Sequence, residues 1–406
     1  MPVALATIAL LSFAAAGVDS ASRPLRIGLF SLFKPDLLNV QTSPGHTAIL
    51  NAGGLSGVVV EPGQTIRIRK SGARLNVVLI DAYGRIKATA TAGEAKVEPV
   101  GSGGLELNLP GRMKRTVRGS LHVGAEHGLA HAPLSIVLEA DIESAVASVV
   151  AAEIAGRRER EAIKALAIVV RSFVMSHLGR HRAEGFDFCD TTHCQLYRGE
   201  ADLSEEVLTP VVAVAVASTE GEVLTFQGRA IEGHYTAACG GLSATPELVW
   251  GGKVQSGYSY RRIACEWCRA SRYFRWRRTA RAQSVLDAVA PAAPGQTLSQ
   301  SAEIVAETEG PSDLVRAISI RDRGRSVELP TDEFRRRLGQ RLGWNTVLSP
   351  TFSVERRGNI FIFRGRGFGS QVGLCVAGAF AQAAAGRTCR DILSFYYPQT
   401  EVTRGA

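Results

Sequence analysis

The 406-residue chain is long enough for two domains, each with a sizeable core of its own. Hydrophobic residues make up 45% and charged residues 21%, a balance that excludes extensive disorder. The net charge of +9 favours an anionic partner, but the arginines are scattered and no aromatic-interleaved basic stripe appears. Nucleic acid would satisfy that charge and so would a cell wall carrying carboxylates; charge alone does not choose between them, and no nucleic-acid partner is expected.

The first element is an apolar run from Val3 to Ala16, closing on Ala14-Ala15-Ala16-Gly17. A run of this length ending in small residues predicts a signal peptide over 1–17, and with it an exported protein. The destination would be the periplasm, the extracellular space or the cell wall. Too short to cross a bilayer, the run is followed by no stretch of about 18 uncharged apolar residues. The mature protein is expected to carry no membrane span.

From Arg23 to about Ala130 the pattern is that of strands. Thr65-Ile66-Arg67-Ile68-Arg69 alternates apolar and polar, as a half-buried strand does. Leu75 to Ile80 reads as a buried strand and Asp81-Ala82-Tyr83-Gly84 as a turn. The period then becomes helical. Ile142, Ala145, Val146, Val149, Val150 and Glu153 share one face, and Gly156-Arg157-Arg158 breaks the helix. A second helix is predicted from Glu159 to His177, with Ala162, Leu166, Val169 and Phe173 on its apolar face. A third lies between Glu205 and Ala217, where Pro210 must start or kink it. Turns follow near Glu220-Gly221 and Gln227-Gly228. Gln283 to Val289 is helical before a Pro- and Ala-rich linker, Ala290 to Gly295. Strands return around Ile318–Ile320 and Ile360–Phe363, and a small-residue helix precedes Tyr396-Tyr397-Pro398. The fold class is α+β: a β-rich region over 23–130, then a core over 131–400.

Glu153 stands out chemically. A carboxylate on an apolar helical face is costly to ionise, which raises its pKa and suits it to general-acid work. Pattern alone favours the other reading, a helix end pointing into solvent. Arg171 on the second helix likewise has two readings: a guanidinium bridging a groove to a sugar or carboxylate, or an ion pair between helices.

Four ordered motifs bear on this choice. Val149-Val150-Ala151-Ala152-Glu153 is followed by Glu161-Ala162-Ile163-Lys164-Ala165 and Val170-Arg171-Ser172-Phe173. Next comes Cys189-Asp190-Thr191-Thr192-His193-Cys194-Gln195-Leu196-Tyr197-Arg198-Gly199, then Tyr235 to Gly241, then Val249-Trp250-Gly251-Gly252. In this order and spacing the chain resembles the SpoIID/LytB family of exported cell-wall proteins, so a SpoIID-like core is expected behind the β-rich region. The resemblance implies that Glu153 is the catalytic acid, and that Gln195, Tyr197, Tyr235 and Ser370 help bind substrate. It implies a lytic transglycosylase of peptidoglycan glycan strands, cutting the β-1,4 bond between N-acetylmuramic acid and N-acetylglucosamine with a 1,6-anhydro product. Strands stripped of stem peptides are the expected substrate, with a cell-wall amidase upstream as functional partner. Catalysis needs no cofactor.

The last motif departs from the family. Ser370 stands where the family has His, Gln371 where it has Gly, and Cys375-Val376 where it has Ser-Gln, although most of the glycine frame from Gly367 survives. The alternative is thus a catalytically degenerate glycan-binding protein or amidase enhancer.

Seven cysteines cluster along the chain. His181, Cys189, His193 and Cys194 supply the sulfur and nitrogen donors of a structural zinc site; a disulfide closing Cys189 to Cys194 is the other reading. Cys265-Glu266-Trp267-Cys268 has knuckle-like spacing and could join Cys239. With three ligands and no fourth, a disulfide or a metal is equally compatible.

Overall fold

Strands of the first half of the chain pair into two sheets that face one another. In chain order they are β1 (Leu25–Gly28), β2 (Leu37–Thr42), β3 (Ala48–Ala52), β4 (Leu55–Val60), β5 (Thr65–Ser71) and β6 (Arg74–Ile80). Next come β7 (Ile86–Ala92), β8 (Glu94–Pro99), β9 (Leu105–Leu109), β10 (Met113–Val117), β11 (Ser120–Ala125) and β12 (Leu134–Ala140). The structure is a computed structural model that describes residues 23–125, 133–200, 208–252, 256–290, 298–308 and 313–405. The expected signal peptide and most of the Ala290–Gly295 linker lie outside these residues.

One sheet runs β13-β1-β12-β11-β8-β3-β4, where β13 (Phe188–Cys189) arrives from later in the chain and pairs parallel to β1. The other runs β10-β9-β2-β5-β6-β7. Alternation builds the sandwich: in β5 Ile66 and Ile68 turn inward while Arg67 and Arg69 face water. Leu38, Val77, Leu107, Leu50, Val97 and Leu121, from both sheets, share one core. The predicted turn at 81–84 forms because Asp81 Oδ1 accepts from the backbone N–H of Tyr83 and of Arg85, both at 2.9 Å. The β sheet does not stop at residue 130, since β12 and β13 both belong to it.

Two helices follow. Asp141 caps α1 (Ile142–Ile154), its Oδ2 accepting from Ser144 N at 2.9 Å. Ala155 and Gly156, at φ +50° and +81°, end it. The second helix, α2 (Arg160–Ser176), was expected to show one apolar face, yet every residue from Ala162 to Val174 is buried except Lys164. It is the central helix, wrapped by α1, α3 (Leu208–Ala217), α7 (Val376–Ala384), α8 (Cys389–Tyr396) and β14 (Glu222–Phe226). Pro210 sits in the first turn of α3, where its missing N–H costs nothing. Gln227 and Gly228, both at positive φ, turn β14 into β15 (Arg229–Ala230).

The remaining segments form β16 (Tyr235–Thr236), α4 (Pro246–Trp250) and then a unit with its own core. That unit holds β17 (Trp276–Arg281), α5 (Ala282–Val289), β18 (Glu303–Thr308), β19 (Val315–Asp322), β20 (Arg325–Pro330), α6 (Thr331–Leu342), β21 (Phe352–Arg357) and β22 (Ile360–Gly365). The chain then returns through β23 (Leu374–Cys375), which pairs parallel with β16, and ends on β24 (Glu401–Arg404) beside β14. Among the described residues no helix is long and apolar enough to cross a membrane.

Arg171 locks this arrangement. Its side chain is 2% exposed, with Nε and Nη2 on the two carboxylate oxygens of Glu143 at 2.7 and 2.6 Å and Nη1 on Glu222 O at 2.9 Å. One guanidinium thus ties α1, α2 and β14 together. Glu143→Ala strands that charge in the core, and a loss of about 3–5 kcal/mol is expected in denaturant unfolding. A loss within experimental error would show that the pair holds nothing.

Candidate active site

The loop from Phe188 to Glu200 is gripped between the sandwich and α1. Asp190 is buried and takes Arg115 Nη1 at 2.7 Å, Phe30 N at 2.8 Å and Ser31 N at 3.2 Å. Gly199, at φ +77°, lies so close to Thr116 O that a side chain would collide with it, and Ser148 Oγ of α1 donates to Gly199 O at 3.0 Å. Fixed at both ends, the loop presents Gln195 toward the last turn of α1.

Glu153 occupies that last turn. The Tyr235 hydroxyl donates to Gln195 Oε1 at 2.8 Å, and Glu153 Oε1 lies 3.5 Å from the same oxygen, long for a hydrogen bond. A hydroxyl has one proton, so Tyr235, committed to Gln195, makes only a weak second contact with Glu153. Burial raises the Glu153 pKa above the usual 4.5; the Tyr235 hydroxyl and the Arg198 charge oppose this only in part. Burial also holds the Tyr235 proton on well above the usual phenol range. His234, packed beside the rings of Trp250 and Phe173, is pushed by burial down to about 3 and stays neutral.

Arg198 also lines a cavity of about 390 Å³ with Thr191, Thr192 and Leu196 of the same loop, Phe33 and Lys114 of the sandwich, and Trp344. Trp344 and Phe33 are exposed. A larger cavity of about 930 Å³ lies against β17, β21 and β22 and is lined by none of the residues singled out from the sequence. Size does not choose the site here; the carboxyl does.

Other substrate-binding expectations are corrected by the packing. Arg171 is spent on Glu143 and Glu222, out of reach of any ligand. Tyr197 is buried in the sandwich core beside Arg115 and Asp190, leaving no face for a sugar. Gln195, also buried, is bonded to Tyr235. Ser370 lies on the loop before β23, where its Oγ accepts from Val372 N at 3.2 Å; no described hydrogen bond joins it to Glu153.

The four residues expected to hold a metal do converge. Ligand atoms of His181, Cys189, His193 and Cys194 lie within 4.8 Å of one another. His181 Nε2 is 3.1 Å from Cys194 Sγ, and its Nδ1 is hydrogen-bonded to Glu184, so the ring is oriented by a carboxylate as metal-bound imidazoles are. His193 Nδ1 stands 3.7 and 3.6 Å from the two sulfurs. This donor set fits a tetrahedral Zn2+. Cys239, Cys265 and Cys268 also meet, and a fourth thiol that sequence reasoning missed, Cys375, completes the group. Its only signal was the departure from the family motif. Sequence reasoning equally missed Glu143, Asp190 and Arg198, whose partners are remote in the chain.

Part of the chain matches a known family. The family profile described as SpoIID, Stage II sporulation protein, matches residues 131–226, the segment that carries Glu153, Gln195 and the His181–Cys194 cluster. That match and the relatives that follow support the SpoIID/LytB family for this chain. Stage II sporulation protein D of Bacillus subtilis is 27% identical over 273 residues, covering 64% of this chain and 74% of that protein. The protein of the same name from Bacillus amyloliquefaciens is 25% identical over 300 residues, covering 69% and 82%. The amidase enhancer of Bacillus subtilis is 24% identical over 290 residues, covering 60% of this chain but 38% of the enhancer's own length.

The raised Glu153 pKa has a sign that can be checked. A carboxyl whose folded pKa lies above its unfolded value adds stability in full below about 4.5 and loses it as pH rises through the folded pKa. Glu153→Gln removes this dependence. The variant is expected to be more stable than the parent at neutral pH, with the difference vanishing in acid. Thermal melts across pH would refute the assignment if the variant were the less stable at pH 7 and caught up only in acid.

Proposed function

We propose that this protein is an exported lytic transglycosylase that cleaves peptidoglycan glycan strands. The family and the named relatives support a cell-wall-related function. The observation that supports the finer reading is the half-buried Glu153 carboxyl, its pKa raised by burial, beside a hydroxyl already committed to Gln195.

The chemistry follows from one carboxyl working twice. Glu153 protonates the leaving oxygen between N-acetylmuramic acid and N-acetylglucosamine as the C1–O bond breaks. Its carboxylate then takes the proton from the C6 hydroxyl, whose oxygen bonds to C1 and closes the 1,6-anhydro ring. The proton returns to Glu153 and no water is consumed, so the second carboxylate of an ordinary glycosidase is not needed. Arg198 limits the cost of the transient charge on Glu153, and Gln195 positions Tyr235. Phe33 and Trp344 offer aromatic faces to sugar rings along the adjoining cavity, and the net charge of +9 suits an anionic wall. Denuded strands are the proposed substrate, which places an amidase before this protein, in keeping with a relative named as an amidase enhancer.

His181, Cys189, His193 and Cys194 would hold a structural Zn2+ that pins the start of the site loop and takes no part in bond cleavage. Cys194→Ser is expected to lower the zinc content by about one ion per chain and to lower the melting temperature, because metal binding is coupled to folding. Unchanged metal content, or a Cys189–Cys194 disulfide found by mass spectrometry, would contradict the zinc assignment.

Purified protein incubated with denuded glycan should release anhydro-muramyl fragments detectable by mass spectrometry. Glu153→Gln should reduce the rate by about 10²–10⁴-fold, toward the upper end since one group serves both steps, while still binding glycan. A variant as fast as the parent would sink the catalytic role. A parent that binds glycan and never cuts it would instead support the amidase-enhancer reading, which the altered Gly367–Ala379 motif keeps in view.

A further inference from the structure

Four cysteines outside the site just described come together in the core around α2. Cys239, Cys265, Cys268 and Cys375 are all buried, all free, and their sulfurs lie within 4.8 Å of one another. Cys239 Sγ and Cys268 Sγ are 3.6 Å apart. A tetrahedron with metal–sulfur bonds of 2.3 Å sets its corners about 3.8 Å apart. Sulfurs so closely grouped enclose one ion and leave no room for a multi-iron cluster.

The surroundings suit thiolates. Cys375 caps α7, and its Sγ accepts from Gly378 N and Cys239 N, both at 3.3 Å. The positive end of the α7 dipole therefore points at that sulfur. The Tyr396 hydroxyl is 3.2 Å from Cys265 Sγ. Any side chain at position 378 would collide with both Tyr396 and Cys265, so glycine is what lets the helix end approach the group. Donors aimed at sulfur are the outer shell a metal thiolate needs.

We propose that Cys239, Cys265, Cys268 and Cys375 form a closed structural Zn2+ site, separate from the His181–Cys194 cluster. Four sulfurs and no open position describe a structural ion, and Zn2+ accepts such a tetrahedron without redox chemistry. Its placement gives it two consequences. Cys268 precedes and Cys375 follows the whole β17–β22 unit, so the ion closes the neck of that insertion. Closing a long loop stabilises more than closing a short one. Cys375 also pairs with Thr236, the neighbour of Tyr235, so the ion braces the strand that carries the partner of Glu153. The assignment does not depend on the catalytic reading of Glu153.

The full-length chain, purified without chelator, should contain about two zinc ions. X-ray absorption at the zinc edge should average three sulfurs and one nitrogen per ion, the mean of a four-sulfur site and a two-sulfur, two-nitrogen site. In Cys189→Ser/Cys194→Ser about one zinc should remain, with four sulfurs at about 2.3 Å. Cys268→Ser should lose that sulfur-only ion and keep the mixed one. Should these variants fail to fold, the wild-type spectrum still decides, because a single mixed site gives equal sulfur and nitrogen. Equal sulfur and nitrogen in the wild type overturns the proposal. So does iron in place of zinc, or a disulfide joining any two of the four cysteines.

Discussion

Burying a carboxyl at the end of an apolar helix is unfavourable unless the carboxyl keeps its proton or finds a strong donor. At Glu153 the nearest hydroxyl, that of Tyr235, already donates to Gln195 at 2.8 Å and sits 3.5 Å away. The carboxyl is left without a strong donor, and burial raises its pKa. Other features of the site follow from that constraint. Gln195 must be buried and fixed, Tyr235 must be held by a strand, and Arg198 must stand near enough to ease the charged state without abolishing the neutral one.

Three parts of the chain, remote in sequence, deliver these groups. Asp190 and Gly199 clamp the Gln195 loop to the sandwich, which explains why a β-rich region with no chemistry of its own is built against the core. The strand carrying Tyr235 is paired with β23, and Gln371, wholly buried, fastens the loop before β23 by bonding Thr351, Cys239 and Arg366. Gln371, which takes the place of a glycine in the family motif, keeps a left-handed φ of +67° there and fills the space with hydrogen bonds. Cys375 is spent in the same way on the thiol group. Gln371 and Cys375, two departures in this motif, thus have structural roles.

Local patterns carried much of this from the sequence. Alternation over Thr65–Arg69 foretold β5, and the spacing from Ile142 to Glu153 foretold α1 but not whether its last acid is buried. Where the reading failed, the cause was tertiary. Periodicity gave α2 one apolar face because it cannot anticipate a helix wrapped on all sides. Arg171 has the same side chain whether it meets a sugar or Glu143, and only the packing decides. Tyr197 looked like a ligand-facing aromatic until the sandwich enclosed it. Cys375 could not be joined to Cys265 and Cys268 because an entire folded unit separates them. Gln195 and Tyr235 were visible as motif residues, but their contact, across 40 positions, was not.

The protonation of Glu153 is open to direct observation. In protein carrying 13C-labelled glutamate, the carboxyl resonance lost in Glu153→Gln identifies Glu153 and can be followed through a pH titration. The account predicts a midpoint above the usual 4.5, coinciding with the alkaline limb of glycan cleavage. A Glu153 resonance that titrates at or below 4.5 would contradict it.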